Sequence, residues 1–428
     1  MQKTLFNTSW LFISLFLVAA QLPAQTSIKS PYSRYGLGEL YSGSSQYTMA
    51  MGGISSGVRS QWFINPQNPA SYTAFDSLSF LFDGALYGKM STFKIDTLSQ
   101  PSNYASLSYI AMGLPVTRWM RTSFGLMPFS SVGYTINSNQ QVEGFGNTLY
   151  EFQGYGGLSQ VYLGAGFRPV KDFSAGFNLS YIFGSIDKIR NITFPDSSNI
   201  LSSRISQQSG VKGFYLDLGF QYHHTFSNGS FFNAGLTYAP KQKLNVLTDK
   251  LAYSYSHDYS TNLDEIRDTV EYETGSKGTI ELPLGIGGGV LFGKGEKWMG
   301  GADIKWQQWS SFTYLGKSDS LQNSLTVNAG GQFRPSTSDI ASYWKRVTYR
   351  AGLRYNQSYL YLNDTRINEF GISFGFGLPM KKTRSTLNLA VEAGARGTTQ
   401  NNLIRENYIR FTLGASIFDR WFLKRKYD

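Results

Sequence analysis

From Ser385 to Arg396 the chain reads STLNLAVEAGAR: Leu387, Leu389, Val391, Ala393 and Ala395 alternate with Thr386, Asn388, Glu392 and Arg396. A period of two belongs to an extended chain, because successive side chains of a strand point to opposite faces. The pattern recurs. Phe214, Leu216, Leu218, Phe220 and Tyr222 flank Asp217, and Ala302, Ile304 and Trp306 flank Asp303 and Lys305. Tyr349, Ala351, Leu353 and Tyr355 flank Arg350 and Arg354, and Ile409, Phe411 and Leu413 flank Arg410. In all, about fourteen such segments run from 77–92 to 404–418.

Two architectures accept this pattern: a soluble sandwich with its apolar face inside, and a membrane barrel with its apolar face outside. Strands this long and this numerous would leave open edges in a sandwich, and a closed barrel has none. Composition agrees. Aromatic residues reach 16% and glycines number 45, while charged residues fall to 16%, below the usual quarter or so. Mean hydropathy is nevertheless −0.25, as expected when only every second strand position faces lipid. The expected fold is an all-β transmembrane antiparallel barrel of about fourteen strands. The even count puts both chain ends on one side.

Connections alternate in length. Those at 115–121, 169–172, 227–230, 293–297 and 379–384 are short, and those near 93–102, 136–153, 188–209 and 247–276 are longer. The short set is expected in the periplasm and the long set outside the cell. Prolines 115, 169, 335 and 379 close strands, because proline cannot donate to a ladder. Trp119, Trp298, Trp344 and Trp421 fall near the short turns, and Tyr134, Tyr314, Tyr359 and Tyr361 toward the long loops. They are expected to form two interfacial belts. Asp217, Asp303, Lys305, Arg350, Arg354, Glu392, Arg396 and Arg410 are then lumen charges.

The N-terminus carries an export signal. Lys3 precedes the apolar run Trp10 to Ala20, and Leu22-Pro23-Ala24 supplies a small residue for cleavage before Gln25. The run is too short to span a bilayer as a helix. Residues 1–24 are thus a signal peptide, and the chain is expected in the cell outer membrane of a Gram-negative bacterium, with periplasmic termini. The absence of cysteine excludes disulfides and a lipid-anchored N-terminus. The net charge of +11 is scattered and accompanies no nucleic-acid motif; it suits anionic lipid headgroups or a charged lumen.

Residues 25–76 do not alternate. They are rich in glycine, serine and proline, yet carry Met49, Met51, Ile54, Trp62 and Phe63, too many large apolar groups for a disordered leader. A compact plug inside the lumen accounts for them, since fourteen strands enclose more space than side chains fill. Met51-Gly52-Gly53, then Asn65-Pro66 and Asn68-Pro69-Ala70, stand just ahead of the first strand. This arrangement resembles the N-terminal hatch of the FadL-type outer-membrane transporters. The resemblance implies fourteen strands, a hatch whose Asn-Pro-Ala motif maps onto Asn68, Pro69 and Ala70, and passage of long-chain fatty acids or other hydrophobic compounds. Pro128, with Phe129 and Gly133, interrupts the third strand, and proline with a nearby glycine favours a bulge there. The resemblance makes Pro128 the counterpart of a kink that gives lateral exit to the membrane. Relatives of the same fold also serve as non-transporting partners in secretion machinery, so fold alone does not fix function. Residues 77–418 are read as the barrel and 419–428 as a basic periplasmic tail.

Nothing points to catalysis, metal or cofactor. His223 and His224 are adjacent in a strand and cannot ligate one ion together. Serines lack a Gly-x-Ser-x-Gly elbow, and Gly285 with Gly287 to Gly289 lacks the strand-then-helix context of a phosphate loop. The segment Asp249 to Glu273, with seven acidic residues, reads as a solvated outer loop. Two functions remain: passive uptake of a hydrophobic small molecule through a plugged barrel, and a structural barrel partner docked in a protein secretion or assembly complex.

Overall fold

The computed structural model describes residues 30–196, 200–258, 263–381 and 383–420. The expected signal peptide, residues 1–24, and the tail from Trp421 onward lie outside the described residues. The wall begins with β1 (Ser79–Ile95), β2 (Leu98–Pro115), β3 (Met120–Val142), β4 (Gly146–Val170), β5 (Phe173–Thr193) and β6 (Ser202–Thr225). Strand β7 comprises Ser230–Ala239 and Gln242–Asp258, and β8 comprises Leu263–Leu282 and Gly285–Lys294. Each is broken at a proline, Pro240 and Pro283. The wall ends with β9 (Trp298–Gln307), β10 (Ser324–Phe333), β11 (Thr348–Leu362), β12 (Thr365–Pro379), β13 (Thr386–Arg396) and β14 (Arg405–Arg420). All neighbours are antiparallel, and β14 pairs with β1 from Arg420↔Ser79 to Arg405↔Lys94. The barrel is therefore closed on fourteen strands.

Closure is what a chain in hydrocarbon needs, because every wall amide then finds a partner without water. The alternation behaves as the sequence predicts. Leu389 and Val391 on β13, Ile372 and Phe374 on β12, and Ile409, Phe411 and Leu413 on β14 are exposed on the outer face. Asn388, Glu392, Ser373, Tyr408 and Thr412, one position away, are buried on the inner face.

Three expectations need correction. Segments 93–102, 136–153, 188–209 and 247–276 are not long loops: they are the upper ends of β1 to β8, joined by short connections such as Asp96-Thr97. On 263–277 both faces of the strand are exposed, so pairing persists there while the hydropathy alternation fades. The acidic segment Asp249 to Glu273 accordingly belongs to the β7–β8 hairpin, paired from Leu263↔Asp258 to Leu282↔Gln242. Second, the tyrosine belt is mostly absent. Tyr134 is buried inside, and Tyr314 and Tyr359 pack on the same internal cluster; Tyr361 is exposed. Strand parity, rather than position along the strand, decides which way a ring points. Third, β14 continues through Asp419 to Arg420, two residues past the expected end of the wall. Trp119 and Trp298 are exposed near strand ends as expected; Trp344 is exposed too, but stands on the helical turn Tyr343–Arg346 of the connection after β10.

One seam in the wall is short. The β2–β3 ladder covers only Ile110 to Pro115 against Arg121 to Leu126. Beyond it β3 shifts register between Pro128 and Ser130 while staying paired with β4 as far as Val142. At the bulge, Ser131 and Ser130 pair instead with Glu39 and Leu40, a short strand of the N-terminal segment.

Candidate functional site

The lumen is where the sequence placed its candidate residues, and the structure fills it with residues 30–75. This segment has little regular structure: 3-10 turns at Pro31–Arg34 and Pro69–Ala74 and one helical turn at Gln46–Met49. Most of its residues are nonetheless buried, and only Ser42 and Gln61 are exposed. Met51, Ile54 and Phe63 pack on Leu291 and Met299, while Ile64, Tyr72 and Phe75 pack on Leu81, Tyr109 and Tyr162. Tyr32 and Leu37 join Val132, Leu158, Ile182 and Leu360 from the wall.

The Asn-Pro residues work as internal staples. Asn65 Nδ2 donates to the carbonyls of Ser55 at 2.8 Å and Val58 at 3.0 Å. Asn68 Nδ2 donates to Ser56 at 2.7 Å, and its Oδ1 accepts from the Ala70 amide at 3.2 Å, capping the turn that Pro69 begins. The Pro66 carbonyl accepts from Asn178 of β5 at 2.7 Å. Gly52 and Gly53 adopt positive φ of 72° and 88°, which glycine tolerates. The Gly52 amide donates to Ser373 on β12 at 2.9 Å, and the Gly53 carbonyl accepts from Asn328 on β10 at 3.2 Å. Met51, Asn68, Pro69 and Ala70 are fully buried.

The wall is cut to receive this backbone. A Cβ on Gly235 would strike the Ser56 carbonyl, and one on Gly352 would strike the amide of Gly52. These glycines face inward at close backbone contacts, a reason for glycine in strands that the sequence alone did not reveal. Gly289 likewise leaves room for the Asp303 carboxylate. Asp303 Oδ2 accepts from the amides of Ser55 at 2.5 Å and Ser56 at 2.7 Å.

The predicted lumen charges separate into groups. Arg354, Glu392 and Arg410 meet in one network with Glu369 and Tyr408. Arg354 Nη2 lies 2.6 Å from Glu369 and 2.8 Å from Glu392. Arg410 reaches Glu392 at 3.2 Å, and Tyr408 donates to Glu369 at 2.7 Å. Arg396 pairs at 3.0 Å with Glu39 of the N-terminal segment, which also faces Lys89 at 3.7 Å; Lys89 in turn holds Glu406 at 2.6 Å. Lys89, Arg354, Arg396 and Arg410 thus face Glu39, Glu369, Glu392 and Glu406, four cations against four carboxylates. Desolvation pushes the Glu39 carboxyl up, but Lys89 and Arg396 outweigh it and hold it below its ordinary range. Arg350 stands apart, 3.8 Å over the Tyr47 ring and donating to Asn388 at 2.9 Å. Asp217 and Lys305 face each other across the lumen side of β6 and β9 and do not join the network.

Strand parity could have named Glu406, which shares the inner face of β14 with Arg410, and also Lys89 and Glu369, which alternate with the outward Met90 and Phe370 on β1 and β12. It could not have named Glu39, which lies in a segment without periodicity. Parity also marks Asp83, which shares the inner face of β1 with Lys89 and accepts from Gln46 at 2.7 Å and from the Ile64 amide at 3.2 Å.

Around the bulge, the Phe129 carbonyl accepts from the Tyr41 amide at 3.1 Å, and the Gly133 carbonyl accepts from the Ser30 amide at 2.8 Å. Tyr41 and Tyr104 hydroxyls meet at 2.6 Å behind the short seam. Pro128 pairs with Ser159 at the edge of the bulge. His223 and His224 bond to Asn233 and Asp172 respectively. No group of three or more potential ligands able to hold a metal lies among the described residues.

The BamG family model matches residues 1–428, the whole chain, so the chain belongs to the BamG family. No curated protein sequence matches it. Solved structures of similar fold include the P. putida toluene transporter TodX, at 15% identity and a TM-score of 0.58, covering 90% of this chain and 100% of that one. The CymD monoaromatic hydrocarbon channel matches at 13% identity and 0.56, covering 91% and 100%. A Pseudomonas aeruginosa FadL homologue matches at 12% and 0.57, covering 89% and 99%. At these identities the likeness establishes a shared barrel fold, in line with the FadL resemblance read from the sequence.

Proposed function

We propose that this member of the BamG family is an outer-membrane barrel whose lumen is sealed by an N-terminal plug and which serves as a structural partner in a protein secretion or assembly complex. The observation that carries this reading is the anchoring of the N-terminal segment to the inner wall. Residues 30–75 are stapled to the wall by buried amides on Asp303, Asp83 and Ser373, and by Glu39, which pairs with Arg396 and Lys89. Sliding such a plug means breaking several charge-assisted bonds together, each of which is costly to leave unmade in a low-dielectric interior. A fixed plug turns a channel fold into a rigid membrane body with two faces free for docking. The outward apolar band supports the membrane location, and the export signal supports the outer membrane.

A second reading, passive uptake of hydrophobic compounds, is supported by a different observation. The short β2–β3 seam beside Pro128 lies in a barrel whose fold is that of hydrocarbon channels, and a lateral exit for an apolar, fatty-acid-like molecule is the use such a seam suggests. A gradient would then drive transport.

Native purification in mild detergent separates the two. The partner reading expects a stoichiometric protein to co-purify while lipid extraction and mass spectrometry of the barrel find no apolar ligand. Recovery of the barrel alone with a bound apolar molecule overturns it in favour of uptake.

A further inference from the structure

At the end of the lumen where Ser79 and Arg420 lie, the barrel holds an open cavity of about 610 Å³. Tyr47, Trp62 and Phe63 of the N-terminal segment form part of its lining. Five guanidinium groups, of Arg334, Arg346, Arg350, Arg384 and Arg420, share it with the carboxylates of Glu296, Asp339 and Asp419. Three of the arginines rest on separate rings: Arg350 on Tyr47 at 3.8 Å, Arg384 on Trp62 at 5.2 Å and Arg346 on Tyr343 at 5.7 Å. Arg334 is held by Glu296 at 2.9 Å. The Nε atoms of Arg334 and Arg346 are buried and have no acceptor among the described residues.

The spacing argues for the kind of acceptor. Guanidiniums pinned on separate rings are distributed for several carboxylates along a chain, with the planar fork of arginine favouring bidentate pairing. A lipid headgroup is disfavoured, because the lining comes from lumen-facing side chains, the N-terminal segment and end connections, so a lipid would have to leave the bilayer to enter. The rim adds an apolar component. The connection 334–347 carries Ile340 at 98% exposure and Trp344 at 69%. Uncovered large side chains beside a charged cleft are the composition of a protein contact.

We propose that this cavity docks an acidic, extended peptide segment of a protein partner on the side of the membrane where both barrel ends lie. The proposal rests on the partner reading above and names its surface and chemistry. The test uses the full-length barrel in nanodiscs and a fluorescent, end-capped octaglutamate peptide, read by anisotropy. The wild type is expected to bind saturably, with affinity falling as salt rises. The double variant R346E/R384E, whose heat-modifiable gel mobility verifies a folded barrel, is expected to lose at least about tenfold in affinity. No saturable binding, or equal binding by the double variant, overturns the proposal. Displacement of the peptide by inorganic pyrophosphate at equal affinity also overturns it, since the cavity would then be a general small-anion site. Co-purification from native membranes distinguishes the two levels. A partner that stays on the double variant refutes this site and leaves the partner reading standing, whereas no partner on the wild type refutes that reading itself.

Discussion

Replacing Asp303 by alanine tests whether the N-terminal segment is held as a separable unit. Asp303 lies on the inner face of β9, buried, with one oxygen accepting both the Ser55 amide at 2.5 Å and the Ser56 amide at 2.7 Å. The alanine leaves two buried amides without an acceptor. Each orphaned donor costs about 1–3 kcal/mol, so the contact as a whole is worth roughly 2–6 kcal/mol. Because β9 keeps its ladders to β8 and β10, that loss falls on the docking of the segment and not on closure of the wall. Hydrogen exchange by mass spectrometry on detergent-solubilised protein is the assay. Peptides covering residues 50–66 should lose protection by roughly thirtyfold or more, and β9 to β14 should keep theirs. The Asp303→Asn variant, which retains an acceptor oxygen without charge, should fall between. Unchanged protection in the segment would refute the anchoring role. Simultaneous loss across the wall would refute the claim that segment and barrel are energetically separable.

Other outcomes follow from the same geometry. Asn68→Ala removes the cap on Ala70 and the bond to Ser56, and should cost about 1–3 kcal/mol, read as faster protease cleavage within residues 60–75 in an otherwise folded barrel. Gly352→Val should block seating of Met51-Gly52, leaving a barrel that folds yet shows an N-terminal segment open to protease. Glu39 has a folded pKa depressed below its ordinary 4.5, so its contribution is complete above that value and disappears as the pH falls through the lower folded one. Protease sensitivity of residues 30–45 should therefore rise on acidification below pH about 4, and Glu39→Gln should be sensitive already at neutral pH. Val391→Arg places a cation on the lipid face and should cost about 2–4 kcal/mol if near the bilayer midplane, seen as loss of the heat-modifiable folded band.

Strand existence, strand number and side-chain parity were legible because the bilayer imposes a sharp contrast between outer and inner faces. Ile409, Phe411 and Leu413 could be assigned to lipid, and Glu392 and Arg410 to the lumen, from alternation alone. Where the contrast vanishes the signal fails. The upper half of β8 has water on both faces, so its Glu271, Tyr272 and Glu273 carry no parity and read as loop. The tyrosines failed for a related reason: Tyr134 sits beyond the Pro128 bulge, where one extra residue exchanges inner and outer faces. In the N-terminal segment, Asn65 and Asn68 could be marked from the motif, but not their task. They bond to carbonyls of Ser55, Val58 and Ser56 within the segment itself, contacts that no periodicity encodes.

The wall glycines and the buried network are two sides of one physical requirement. A barrel of fourteen strands surrounds more space than inward side chains occupy, and a lumen without residues 30–75 would hydrate the Arg354, Arg410, Glu369 and Glu392 group and leave Arg396 without Glu39. Insertion of residues 30–75 removes water from these groups, and that is tolerable only because the charges balance within the network and every carboxylate named there has a cation beside it. Close approach of backbone to wall, through Gly235 and Gly352, then lets amides rather than side chains complete the remaining bonds, as at Asp303 and Ser373. The segment is thus stabilised by polar contacts that exist in one seating only, together with apolar packing. A seating specified this narrowly resists the small displacements that would open a passage, and the same rigidity gives the cavity beneath Tyr47 and Trp62 a fixed shape against which a partner can dock.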